Sequence, residues 1–273
     1  MQLSFEFFPP RTDKGKQNLK QVRQALLSIN PYYFSTTFGA GGTTQEATLE
    51  TILDIQAHDD LSAVPHLSCI DSEKSNILAL LNQYKAAGIN RIIALRGDIP
   101  SGVRNIGDFH YANELVEFIR HEFNDHFHIE VAAYPEMHPQ AKNMNSDLMH
   151  FANKIKAGAN SAITQYFYNV DAYLRFVDDV QKMGIDAPIT PGIMPITNHD
   201  QLLRFSSMCG AEIPRWVEKR LVTYGDDLES LSAFGLDVVN NLCDQLKSQG
   251  VESFHFYTIN KSQPSLQLAK NLL

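Results

Sequence analysis

The stretch Arg91-Ile92-Ile93-Ala94-Leu95-Arg96-Gly97-Asp98-Ile99-Pro100 is a short apolar run that stops at a charge, a glycine and a turn-forming Asp-Ile-Pro. It reads as a strand whose end carries chemistry. Similar runs recur outward from it at 3–7, 33–38, 62–69, 129–134, 161–167, 189–193 and 253–259. Between them lie segments of helical period at 14–29, 45–57, 72–87, 112–123, 146–157, 170–183, 200–208, 214–221 and 228–248, with a last one at 264–273. About eight βα units in one domain's length favour an α/β fold of the (β/α)8 TIM-barrel type over an open doubly wound sheet. The long helical interval before the last strand reads as an insertion of extra helices, because no linker-like stretch or composition shift sets it apart. The expected organisation is one barrel domain over residues 1–273.

Composition narrows the function. With 23 Lys+Arg against 31 Asp+Glu the formal net charge is −8, which speaks against a nucleic-acid binder. The 44% apolar content suits a chain with a large core. Cys69, Cys209 and Cys243 are odd in number and widely spaced, suggesting neither a disulfide framework nor a zinc site. The start Met1-Gln2-Leu3-Ser4-Phe5-Glu6 lacks the features of a signal peptide, and no run approaches the ~18 apolar residues of a membrane span. A cytoplasmic protein without membrane partners is expected.

In a barrel, the C-terminal ends of strands and the loops after them carry the chemistry. Leu3, Phe5 and Phe7 alternate with Ser4 and Glu6, so the apolar set faces the helices and Glu6 points inward. Burial there is expected to raise its pKa and make it a proton donor, the alternative being a structural carboxylate paired with lysine or arginine. Asp98, after Gly97, either holds donors on a bound ring or only starts the turn. Thr37-Phe38-Gly39-Ala40-Gly41-Gly42-Thr43-Thr44 could contact an anion or a cofactor ring, but lacks the spacing of a dinucleotide or phosphate loop and also fits a simple tight turn. Gln165, in an otherwise apolar run, needs partners: the edge of a heterocycle, or the core. None of the ten histidines forms a metal motif; His66 and His138 fit better as hydrogen-bonding rim residues. The lone Trp216 falls in the insertion, where packing is its simplest role.

Together, Phe5-Glu6-Phe7-Phe8-Pro9-Pro10-Arg11-Thr12, Thr37-Phe38-Gly39-Ala40-Gly41-Gly42, Pro65-His66-Leu67-Ser68-Cys69, Ala94-Leu95-Arg96-Gly97-Asp98, Ala133-Tyr134-Pro135-Glu136-Met137-His138-Pro139, Ala157-Gly158-Ala159-Asn160 with Thr164-Gln165, Pro191-Gly192-Ile193 and Phe254-His255-Phe256-Tyr257-Thr258 resemble, in order, the motifs of the methylenetetrahydrofolate reductase family. The resemblance spans essentially the whole chain. It implies a barrel with non-covalent FAD, reduced by NADH or NADPH and reoxidised by 5,10-methylenetetrahydrofolate in a ping-pong sequence that yields 5-methyltetrahydrofolate for methionine synthesis. Short bacterial members point to NADH, and the family implies a homo-oligomer, with a tetramer as one form.

Carried over by position, Glu6 matches the general acid that protonates N10, and Asp98 the carboxylate that touches the pterin beside the flavin. Gln165 matches the residue binding both pterin and nicotinamide, and Phe205 an aromatic that stacks on either substrate. The FAD contacts would be Thr37, His66, Leu95, Arg96, Gly97, Asp98, Tyr111, Ala112, Tyr134, His138, Asp147 and Lys154. Lys261 stands where relatives carry arginine, and a C-terminal regulatory domain is not expected. A flavin-independent folate-binding methyltransferase or aldolase, and a non-catalytic flavin-binding protein, are the alternatives; the visible spectrum before and after NADH separates them.

Overall fold

The computed structural model describes residues 1–38, 42–98 and 107–273. The first strand, β1 (Gln2–Phe7), shows why this sequence makes a barrel. Its alternation sends Leu3, Phe5 and Phe7 into the outer core, where Phe5 stacks on Phe256 at 5.3 Å and meets Phe34 edge-on at 6.3 Å. Truncating a ring buried in this way costs about 3–5 kcal/mol. Thr12 then caps α1 (Asp13–Leu27) by accepting from the Gly15 amide at 3.1 Å, and Leu19, Val22 and Leu26 lay that helix on the sheet.

The same unit repeats. It gives β2 (Tyr33–Thr36), α2 (Gly42–His58), β3 (Ser62–Ser68), α3 (Lys74–Ala86), β4 (Arg91–Leu95), α4 (Ala112–Phe123), β5 (His128–Ala133), α5 (Met144–Lys156), β6 (Ser161–Thr164) and α6 (Val170–Lys182). After these come β7 (Ile189–Thr190), β8 (Gly192–Ile193), α7 (His199–Cys209), α8 (Arg215–Tyr224), α9 (Leu228–Ser248), β9 (Ser253–Tyr257) and α10 (Ser265–Leu272). All ladders are parallel, in the order β7-β6-β5-β4-β3-β2-β1-β9-β8. This is the expected α/β TIM barrel, with the extra helices α7 to α9 before the last strand.

Closure differs from the single seventh strand expected at 189–193. Pro191, which has no N–H to give a ladder, splits it: β7 pairs with β6 and β8 with β9. The Pro191 carbonyl accepts from the His255 amide at 3.0 Å, and the Gly192 amide donates to Thr164 Oγ1 at 2.9 Å. A Cβ on Gly192 would fall 2.2 Å from the Thr164 carbonyl, so only glycine fits this seam. Inside the barrel, Tyr33, Val64, Ile93 and Ile163 form a small apolar cluster with Leu95 against it. Trp216 packs edge-on against Phe234 at 6.1 Å and stays 61% exposed, so only part of the ring serves packing. Among the described residues, no helix is long and apolar enough to cross a membrane.

Candidate active site

At the C-terminal end of β1 a buried carboxylate lies between two imidazoles. Glu6 Oε2 is 3.2 Å from His66 Nε2 of β3 and 3.5 Å from His255 Nε2 of β9. His255 is fully buried, with Nδ1 2.7 Å from Ser4 Oγ. The backbone here is clamped: the Thr258 hydroxyl donates to the Glu6 carbonyl at 2.6 Å, and Asn260 exchanges two hydrogen bonds with the Phe8 main chain at 2.8 and 2.9 Å. Lys261 contributes its amide to the Thr258 carbonyl at 3.0 Å, while its side chain is exposed.

The inward placement of Glu6 agrees with the strand pattern, but its charge does not agree with the expected raised pKa. Burial pushes the carboxyl up, yet His66 and His255 together outweigh burial and hold it at about 2. The cause was hidden because His255 lies 249 positions away in sequence. His66 Nε2, though close to Glu6, is buried without a well-aligned hydrogen bond.

A second group lines the rim after β4 and β5. Gly97 takes φ +87, and a Cβ there would sit 1.9 Å from Ser68 Oγ, so glycine is needed to bring Arg96 and Asp98 around the strand end. Met137 takes φ +78 in the loop after β5, which brings the Tyr134 and His138 rings edge to face at 4.6 Å. The His138 amide donates to Asp147 Oδ2 at 2.8 Å. Lys154, from α5, donates to the Ala132 carbonyl, and desolvation brings its pKa down to about 8 against the attraction of Asp147. Burial, then the charges of Asp98 and Asp147, raise the pKa of Tyr134. Burial lowers that of His138, within the fields of Asp147, Arg96, Lys154 and Asp98. These residues share one electrostatic neighbourhood. Tyr257 joins it to the first group, since burial and then Glu6 and Tyr134 raise its pKa.

The other expected positions lie at the same end of the barrel. Thr37 follows β2 and donates its amide to the Phe7 carbonyl at 2.9 Å. Leu95 ends β4, and Tyr111 and Ala112 open α4, with the exposed Tyr111 ring stacked on His150 at 5.9 Å. Gln165 lies just past β6 rather than within a strand, its Oε1 accepting from the Tyr166 amide at 3.0 Å. Phe205 rides on α7, which Ser206 ties to the Tyr166 hydroxyl at 3.0 Å. The glycine-rich turn at 39–41 and Ile99-Pro100 lie outside the described residues. Sequence reasoning passed over Ser4, His255 and Tyr257 as site residues; the period-two alternation that turned Glu6 inward applies equally to His255 between Phe254 and Phe256.

A parallel barrel with a buried carboxylate between imidazoles at its strand ends, beside a rim of phenols, carboxylates and cations, is an enzyme of the α/β-barrel class. The chain belongs to the methylenetetrahydrofolate reductase family, whose model matches residues 1–273. It is therefore an oxidoreductase of methylenetetrahydrofolate reduction. The 5,10-methylenetetrahydrofolate reductase of Escherichia coli (strain K12) is 39% identical over 270 residues, 99% of this chain and 90% of that protein. Methylenetetrahydrofolate reductase (NADH) 1 of Arabidopsis thaliana is 36% identical over 282 residues, covering 98% of this chain but 48% of the plant protein. Among solved structures, an uncharacterized Clostridium thermocellum protein that binds two copies of 5-methyl-5,6,7,8-tetrahydrofolic acid matches with TM-score 0.65 over 99% of this chain and 93% of that chain; at 15% identity this is a likeness of fold.

Proposed function

We propose that the protein is a cytoplasmic FAD-dependent enzyme that reduces 5,10-methylenetetrahydrofolate to 5-methyltetrahydrofolate with NADH or NADPH, in a ping-pong sequence that feeds methionine synthesis, and that it works as a homo-oligomer. The residues fit FAD. Arg96, His138 and Lys154 supply donors suited to a diphosphate, and Tyr111 and Tyr134 supply rings. Thr37, Leu95, Gly97, Ala112 and Asp147 complete the proposed contacts around it. FAD, when bound, supplies a carrier that takes a hydride from the nicotinamide and gives it to the folate.

The chain's own residues divide the remaining work. Glu6, with the proton kept between it and the two imidazoles, delivers that proton to N10 of the folate. Asp98 receives donors of the pterin, Gln165 offers its amide in turn to pterin and nicotinamide, and Phe205 stacks on whichever substrate is present. The observation that carries this reading is the Glu6–His66–His255 cluster at the C-terminal end of the strands. The test is the anaerobic visible spectrum of the purified protein reconstituted with FAD. Flavin bands that bleach with NADH and return with methylenetetrahydrofolate are expected; a protein that takes up no flavin, or is bleached by neither nicotinamide, overturns the reading.

A further inference from the structure

Below Glu6 the barrel interior holds a second buried carboxylate that the proposed reaction does not use. Glu130, on β5, accepts from the Tyr33 hydroxyl at 2.7 Å, from Arg91 at 2.6 Å and from the Ser161 hydroxyl at 3.2 Å, with His128 Nε2 3.9 Å away. Arg91 also lies over the Tyr33 ring at 5.4 Å, and both line a recess of about 450 Å³ where β2, β3 and β4 begin. The strand register places Ser4 beside Tyr33 on one side and beside His255 on the other, with the Tyr33 and His255 rings 6.0 Å apart. Glu130, Tyr33, Ser4 and His255 thus form a column that ends at Glu6.

The column has a direction. With Arg91 bonded to it, the Glu130 carboxylate only accepts, so the single Tyr33 proton points to Glu130 and the phenol oxygen is left to accept from Ser4. The Ser4 hydroxyl is 3.5 Å from the Phe254 carbonyl, at the limit of hydrogen bonding and too far to hold its proton firmly. With the Ser4 proton on the Tyr33 oxygen, His255 Nδ1, 2.7 Å away, is the donor of that contact. An imidazole that donates from Nδ1 has an Nε2 that is either bare or charged, and Nε2 faces Glu6. One proton is then needed between nitrogen and carboxylate. The other titratable groups here are His66, against Glu6, and Tyr257, whose ring is 5.3 Å from that of His255. Tyr257 spends its proton on the Thr164 carbonyl at 2.7 Å, and neither group touches Nδ1.

We propose that Tyr33 and Glu130, acting through Ser4, are positioning residues that fix His255 with Nδ1 protonated and so reserve one proton on the edge between His255 and Glu6. The inference rests on the reading of Glu6 as the donor to folate. In the FAD-loaded protein labelled with ¹⁵N-histidine, the His255 resonances, assigned against His255→Asn, should show a proton on Nδ1; Nε2–H with a bare Nδ1 overturns the proposal. In Tyr33→Phe the Ser4 hydroxyl is free to donate to Nδ1, so the proton should move to Nε2. The alkaline limb of the folate half-reaction should then fall by about one pH unit, a tenfold loss of rate above it. A folded, FAD-loaded Tyr33→Phe with the parental tautomer and pH profile overturns the proposal, and if that variant does not fold, the tautomer of the parent decides. Glu6→Gln keeps the two readings apart: if it still reduces folate, the donor assignment fails whatever the tautomer shows.

Discussion

Glu6 and Glu130 are two glutamates buried inside one barrel, on the same inward face of parallel strands, and they face opposite kinds of partner. Glu130 is bonded by a guanidinium, a phenol and a hydroxyl, none of which gives up its proton easily, and the nearest imidazole, His128 at 3.9 Å, has its pKa lowered by burial and by Arg91. Glu6 faces two imidazoles, the side-chain type whose ordinary pKa lies near neutral pH. Burial is nearly equal, at 9% and 5% exposure, so burial does not separate them. What differs is the set of partners around each carboxylate. The structural glutamate paired with arginine, weighed for Glu6 from the sequence, exists in this protein at Glu130.

Removing the arginine-paired carboxylate should show mainly in stability. Glu130→Ala leaves the mostly buried Arg91 and the Tyr33 hydroxyl without their shared partner, so a loss of about 3–5 kcal/mol is expected by denaturant unfolding; a loss under ~1 kcal/mol would end the comparison. A smaller effect belongs to the rim. Gln165→Leu should keep the barrel and weaken each substrate by about 1–3 kcal/mol, read in the two half-reactions separately by stopped flow. A variant impaired in neither would leave the Gln165 amide a structural group that only serves the Tyr166 amide. The smallest effect is a fraction of a proton at Lys154. Desolvation holds that amine at about 8, so at pH 8 a sizeable part is neutral, and a bound diphosphate would raise it again. FAD binding at pH 8 should take up protons and weaken as pH rises further. Calorimetry in two buffers of different ionisation enthalpy measures this, and heats independent of buffer would count against Lys154 as a phosphate partner.

Much of this was legible in the chain. The alternation of 3–7 turned Glu6 inward, and the run at 91–95 placed Arg96, Gly97 and Asp98 at a strand end, because period and punctuation are local properties. The split at Pro191 was not read, although proline's missing N–H was in plain view, because its consequence appears only when β6 and β9 arrive on either side. The low pKa of Glu6 was out of reach for a deeper reason. It depends on imidazoles delivered by β3 and β9, and strand alternation on β1 says how buried a carboxylate is but not what it faces. His255 could have been found by the argument used for Glu6; its hydrogen bond to Ser4 could not, since it rests on the register of β1 with β9.

If Glu6 handles a proton for the folate and for nothing else, the Glu6→Gln variant will separate the two half-reactions. Glutamine keeps the size and hydrogen bonding of the side chain and cannot act as an acid. Hydride transfer from the nicotinamide needs no proton placed on a substrate nitrogen, whereas opening methylenetetrahydrofolate needs one at N10. With FAD bound, the variant should still be bleached by NADH and should oxidise it when a quinone is the acceptor, while methylenetetrahydrofolate reduction falls by ~10²–10⁴. Folate reduction near the parental rate, or the joint collapse of both half-reactions with loss of FAD, would make Glu6 a structural carboxylate like Glu130.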